Sequence, residues 1–196
     1  VKLGVILLHN EHSTYDLNFI EAVKKACNKL DVKYKILTNI SEDNSCYNAA
    51  SRLVKDGCNI IFADSYGHES FLIEAAKDYP NVEFCHASGV NAHTAGLKNY
   101  HNAYASIYEG RYLSGVAAGL KIKEMIANGI ISKRNAKLGY VAPYEYAEVV
   151  SDYTAFFLGA KSIVPSVKME VKFTRSWFDI ELEREAANVL IDRNCA

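Results

Sequence analysis

The sequence predicts an α/β protein built from parallel sheets, and three observations carry that prediction. Compact apolar runs alternate with segments whose apolar residues recur at helical spacing. Three prolines and eleven glycines are too few for an all-β sandwich or a linker-rich array. The length of 196 residues exceeds a typical domain by enough to allow two lobes.

The first run, Val1 to Leu8, reads as a buried strand. A polar loop follows, then a helix from about Tyr15 to Leu30 with Phe19, Val23, Ala26 and Leu30 on one face. Ser13 or Thr14 supplies its N-cap, and Asp16 its acidic first turn. The cycle repeats as strand Val32 to Leu37, helix Asn44 to Lys55, strand Asn59 to Ala63, helix Glu69 to Asp78 and strand Val82 to Ala87. Such alternation implies right-handed βαβ units. The pattern lapses over Asn91 to Asn99, so a boundary is placed there, with an N-terminal lobe at 1–103 and part of a second lobe at 104–196. The second lobe reads as a helix from about Tyr104 to Met125 rich in small residues, strand Lys137 to Ala142, helix Glu145 to Gly159, strand Val167 to Thr174 and helix Ile180 to Ile191. A lobe with so few strands is thin, and a truncated chain with exposed sheet edges and weak or no ligand affinity is expected.

With 22 basic against 23 acidic residues, the chain has a formal charge of −1. That balance excludes nucleic-acid binding driven by bulk charge and leaves small molecules and proteins as partners. Five cysteines, odd in number and without a C-x-x-C pair, argue against a disulfide framework or a cysteine zinc site. No run is long enough for a membrane span. A phosphate cradle is missing from the loop after the first strand, His9 to Thr14, which holds no glycine. The His9-x-x-His12 spacing, even with His68 nearby on a strand end, lacks a further ligand pattern for metal. Cys85 and His86 are adjacent in a strand and face opposite ways, so they form no dyad. Neither metal, cofactor nor catalytic residues are expected.

Ligands of open α/β sheets bind outside the carboxyl ends of the strands. Here those ends are aromatic: Tyr15-Asp16 after the first strand, Asp64-Ser65-Tyr66-Gly67 after the third, Pro143-Tyr144-Glu145-Tyr146 and Ser176-Trp177-Phe178-Asp179 in the second lobe. Aromatic faces suit a flat ring, while Asp16, Ser65, Glu148 and Asp179 offer hydrogen bonds to its edge and to a sugar. The bland alternative is that each ring packs beneath its own loop.

The segments Phe62–Ser70 (FADSYGHES), Glu83–Gly89 (EFCHASG), Glu109–Gly119 (EGRYLSGVAAG), Glu148–Pro165 and Thr174–Asp192, with its S-W-F-D, resemble the basic membrane lipoprotein family. These are substrate-binding proteins of ABC transporters for purine nucleosides or bases. The resemblance implies a type I periplasmic-binding-protein fold, two doubly wound parallel-sheet lobes joined by a hinge and closing over the ligand, the second lobe incomplete here. It implies that Tyr15 stacks on the base with Asp16 beside it, that Tyr66 stands where the family carries Phe, and that Trp177 is the second-lobe tryptophan. His12 stands where some branches carry Asp, and Thr154 where Asn is common.

The expectation is therefore a monomeric, non-enzymatic binding protein. It would take a purine nucleoside or base into the interlobe cleft through Tyr15, Asp16, Ser65, Tyr66, Gly67, Tyr144, Glu148, Trp177, Phe178 and Asp179. It would deliver that ligand to ABC permease subunits from an extracytoplasmic, periplasmic or cell-surface position, with any lipid anchor outside this chain. A ligand-sensing regulatory domain of the same fold is the first alternative. A nucleoside-processing enzyme, with only Asp16, Glu148, Asp179 and His86 to work with, is the second.

Overall fold

The computed structural model describes residues 1–196. The chain divides into two compact units, Val1–Ala105 and Ser106–Ala196.

The first unit runs β1 (Lys2–Ile6), α1 (Thr14–Leu30), β2 (Lys33–Leu37), α2 (Asn44–Lys55), β3 (Ile60–Ala63), α3 (Glu69–Asp78), β4 (Glu83–Ala87), α4 (Ala92–Ala95) and β5 (Tyr100–Ala103). Its five strands are all parallel, in the order β2-β1-β3-β4-β5. The pleat of β1 sorts its side chains to two helical layers. Val5 and Leu7 join Ile20 of α1 on one face, with Phe19, Val23 and Phe62 packed around them. Ile6 turns to the other face, where Leu53, Ile61, Leu72 and Phe84 form the larger core with α2 and α3. Each of these fully buried side chains contributes about 1.5–3 kcal/mol. A Cβ on Gly4 would come within 2.9 Å of the side-chain ends of Leu53 and Ile61, so glycine here eases the close approach of α2 to β1. As expected from sequence, Ser13 caps α1, its hydroxyl oxygen accepting from the Asp16 N–H.

Residues 91–99, read from sequence as a lapse between lobes, hold α4 and lead directly into β5, which the sequence reading lacked. β5 pairs with β4 from Phe84↔Tyr100 to Ala87↔Ala103. Its sequence, YHNA, has no apolar run, because a sheet-edge strand here serves polar partners. The Tyr100 hydroxyl and the Asn102 amide both donate to Glu69, and the Asn102 oxygen accepts from the Ala92 N–H.

The second unit runs α5 (Ile107–Ala127), β6 (Lys137–Ala142), α6 (Ala147–Ile163), β7 (Lys168–Phe173) and α7 (Ile180–Asp192). β6 and β7 pair in parallel from Lys137↔Lys168 to Ala142↔Phe173. Leu138 packs with Ile122, Ala160, Val164 and Val167. Across the sheet, Gly139 lies against Leu190 of α7. Along the other edge of β6, the Ala196 N–H donates to the Lys137 carbonyl at 2.8 Å and the Ala196 carbonyl accepts from the Gly139 N–H at 3.4 Å, a ladder pattern. The small residues of α5 let it meet α6 backbone to backbone. A Cβ on Gly115 would sit 1.9 Å from the Phe156 carbonyl oxygen, and one on Gly159 2.1 Å from that of Tyr112. No helix is long and apolar enough to cross a membrane.

Candidate functional site

Because β1 is followed by β2 on one side and β3 on the other, the strand order reverses between β1 and β3. At such a switch point the flanking loops diverge and leave a crevice at the carboxyl ends of the strands. The loops that flank it here are those carrying Tyr15-Asp16 and Ser65-Tyr66-Gly67, so the structure brings the first-lobe candidates together on adjacent strands.

Within that group the side chains divide into those facing outward and those turned beneath the loops. Tyr15 is 45% exposed at the start of α1. Its ring meets Phe19 edge-on at 5.0 Å and its hydroxyl donates to the Asp64 carbonyl at 3.1 Å. Tyr66, half-buried, opens a short 3-10 turn over Tyr66–His68. Asp16, expected to meet a ligand, is only 1% exposed, and its carboxylate accepts from the His9 N–H at 2.8 Å and from the Ser13 hydroxyl at 2.6 Å. The structure gives it the task of shaping the loop. Ser65 and Gly67 are also turned inward: the Ser65 hydroxyl and the Gly67 N–H donate to the same oxygen of Glu42, at 2.5 and 2.7 Å. A Cβ on Gly67 would fall 2.5 Å from that carboxylate, so glycine is what admits Glu42 beneath the turn. The Ser65 carbonyl meets His86 Nε2 at 2.7 Å. A carbonyl only accepts, so Nε2 carries the proton, and burial holds His86 neutral by pushing its basicity down.

Beneath Tyr15 lies Asp64, fully buried, with the Leu8 N–H donating to its Oδ1 at 3.2 Å. Burial, reinforced by the charge of Asp16, pushes the Asp64 carboxyl up to about 8. Glu42 and the buried Asp64 carboxyl are the parts of this site that sequence reasoning missed. Asp64 stood in the strand-end motif, but nothing in the sequence marked its side chain as buried. Glu42 lies 23 residues from Ser65, with no local pattern linking them.

In the second unit, the carboxyl ends of β6 and β7 gather three rings. Tyr144 lies near-parallel to Tyr146 at 5.3 Å and tilted against Trp177 at 5.0 Å, and Tyr146 meets Trp177 at 5.9 Å. Trp177 and Tyr144 are half-buried, and Phe178 follows in the same loop. The rings thus pack on one another across the two loops that follow β6 and β7. Asp179 is the N-cap of α7: its Oδ1 accepts from the N–H groups of Glu181 and Leu182 at 3.0 and 2.9 Å. Glu148 lies in the first turn of α6. Burial, and after it Asp152, raises its carboxyl above the usual range against the pull of Arg111, which is itself paired with Asp152 at 3.0 Å.

The family model described as ABC transporter substrate-binding protein, PnrA-like, matches residues 11–196. A purine-binding protein of Brucella abortus is 34% identical over 162 residues, covering 83% of this chain and 42% of that protein. A protein of Haloferax volcanii, provisionally named an ABC transporter glucose-binding protein, is 35% identical over 137 residues, 70% of this chain and 31% of that protein. The chain thus spans less than half the length of these curated relatives. Among solved structures, an ABC transporter solute-binding protein of Aeropyrum pernix superposes with a TM-score of 0.81 at 16% identity, covering 100% of this chain and 53% of that one. The fold is that of type I periplasmic solute-binding proteins.

Proposed function

The chain belongs to the PnrA-like family of ABC transporter substrate-binding proteins, and from that premise we propose that it binds a purine nucleoside or nucleobase for uptake. The observation that carries this reading is the placement of aromatic rings at strand ends in both units: Tyr15 and Tyr66 at the β1/β3 switch point, and Tyr144, Trp177 and Phe178 beyond β6 and β7. A purine presents two flat faces to such rings, and base–aromatic stacking is worth about 1–3 kcal/mol per base. The Brucella relative named as purine-binding supports the same ligand class. ABC permease subunits are the partners that would receive the ligand, and the protein would work outside the cytoplasm.

Binding without chemistry is favoured because three of the four groups an enzyme would use, all but Glu148, are occupied. Asp16 holds the β1–α1 loop and Asp179 caps α7, each through backbone N–H donors. His86 is buried with its Nε2–H on a carbonyl. A nucleoside-processing enzyme would need one of these groups free to reach its substrate.

A second ligand class is favoured by the Haloferax relative, named for glucose binding. Aromatic rings also pack on the apolar faces of sugars. Titration calorimetry of the full-length protein against adenosine, guanosine, adenine and D-glucose separates the two readings. Heat with a purine ligand and none with glucose supports ours; heat with glucose alone, or with none of the four, overturns it.

A further inference from the structure

We propose that Asp16 and Asp64 share a single proton, carried on Asp64 Oδ2 toward Asp16, and that this proton sets the position of Tyr15. The inference deepens the binding reading above and rests on it for the role of Tyr15. Two consecutive N–H groups at the end of β1 draw the carboxyl groups together: Leu8 donates to Asp64 Oδ1 at 3.2 Å and His9 to Asp16 Oδ1 at 2.8 Å. The Asp64 side chain lies within hydrogen-bonding reach of Asp16. Yet Asp64 Oδ2 is buried and meets no donor. Two ionised carboxylates in contact, 0% and 1% exposed, would repel with little water between them. A proton on Oδ2 removes one charge and turns the orphan oxygen into a donor to Asp16.

Asp16 is the accepting member of the pair. Its oxygens already accept from the His9 N–H and the Ser13 hydroxyl, and His9 Nδ1 lies 3.4 Å away. Burial and the neighbouring charge, acting on Asp64, put its deprotonation at about pH 8. The buried histidines of the surrounding elements supply no competing cation. From the 3-10 turn and β4, His68 and His86 are kept neutral by burial. From α2, the Cys46 thiol is pushed up to about 12, mainly by burial. Glu42, at the entry to α2, is engaged by Ser65 and Gly67. His9, 31% exposed, faces Asp16 from the loop.

Tyr15 is chained to both members of the pair. It precedes Asp16 on the first turn of α1, and its hydroxyl donates to the backbone carbonyl of Asp64. When the shared proton leaves, repulsion separates the first turn of α1 from the end of β3, and Tyr15 loses its seat. Asp64 is therefore a positioning residue for a ring that faces the ligand.

The test is a carboxyl ¹³C NMR titration of the full-length protein from pH 5 to 10, with Asp64 assigned through Asp64→Asn and guanosine affinity measured at each pH. The Asp64 signal and the Tyr15 ring signals should move together in the alkaline range. Affinity should fall by up to about tenfold per pH unit beyond that midpoint, the limit for one coupled proton. Asp64→Asn, neutral and still a donor, should abolish the alkaline fall. An Asp64 that titrates in the ordinary acidic range, Tyr15 signals that ignore its titration, or an unchanged alkaline fall in Asp64→Asn overturns the proposal. Alkaline titration of Asp64 and Tyr15 together, with no guanosine bound at any pH, supports the shared proton and counts against the purine reading instead.

Discussion

The Tyr15 hydroxyl donates to the backbone carbonyl of Asp64 at 3.1 Å and so ties the first turn of α1 to the end of β3, 49 residues away in sequence. That bond holds an exposed ring at the switch point of the sheet. Tyr15→Phe keeps the ring and removes the bond, which should lower stability by about 0.5–1.5 kcal/mol. Tyr15→Ala removes the ring as well and should weaken nucleoside binding more than Tyr15→Phe does. Urea denaturation and calorimetry on the two variants check this, and equal affinities would show that the ring does not meet the ligand.

Stability should carry the signature of Asp64. The folded chain holds its proton up to about pH 8, while the unfolded chain releases it near 3.8. Between those values the unfolded state binds fewer protons, so this contribution falls as pH rises, by at most about 1.4 kcal/mol per unit, and is gone above pH 8. His68 and His86, held neutral in the fold against an ordinary value of 6.5, give the opposite slope at and below that pH. Thermal melts of the parent and Asp64→Asn from pH 5 to 9 isolate the Asp64 component by difference. The variant should gain on the parent as pH rises from 5 to 8, and a constant gap would contradict the assignment.

The crossing of α5 and α6 should tolerate no side chain at its centre. Gly115→Ala or Gly159→Ala drives a Cβ into a backbone carbonyl of the facing helix and should cost about 1–3 kcal/mol or more. Gly110, on the same helix, has nothing within 4 Å of its Cβ position. Gly110→Ala should therefore stabilise by about 0.5–1 kcal/mol through helix propensity. Chemical denaturation of the three variants gives the comparison.

Asp179 should prove structural. Asp179→Ala removes the acceptor for two N–H groups at the start of α7 and should cost about 1 kcal/mol, while Asp179→Asn keeps the cap. Guanosine affinity should be the same in Asp179→Asn as in the parent. A large loss there would return Asp179 to the ligand.

The alternation of strands and helices was legible because parallel strands covered on both faces must be apolar runs, as Val1–Leu8 and Asn59–Ala63 are. β5 was not, because a strand at the sheet edge can be made of Tyr100, His101 and Asn102 when Glu69, Glu83 and Ala92 provide their partners. The gathering of aromatic residues at strand ends was also legible from sequence. The direction of the side chains there was not. Asp16 and Asp179 neighbour aromatic residues in the sequence, and in the fold their carboxylates also accept from the orphan N–H groups of a loop and a helix start, which no local pattern announced. Ser65 turns inward to Glu42, a partner that only the packing of α2 against β3 supplies.

Trp177, tilted against Tyr144 at 5.0 Å, is where stacking on a base and packing within the loop compete most directly as explanations. A ring current from a stacked indole moves the H2 and H8 protons of a purine upfield. The decisive measurement is the bound-state NMR shift of those protons in the full-length protein, parent against Trp177→Ala. The account predicts an upfield shift in the parent that is lost in the variant, together with a roughly tenfold or greater loss of affinity, equivalent to one stacked base. Equal shifts and equal affinity in the two proteins would show Trp177 to be loop packing alone and would contradict the stacked-purine site.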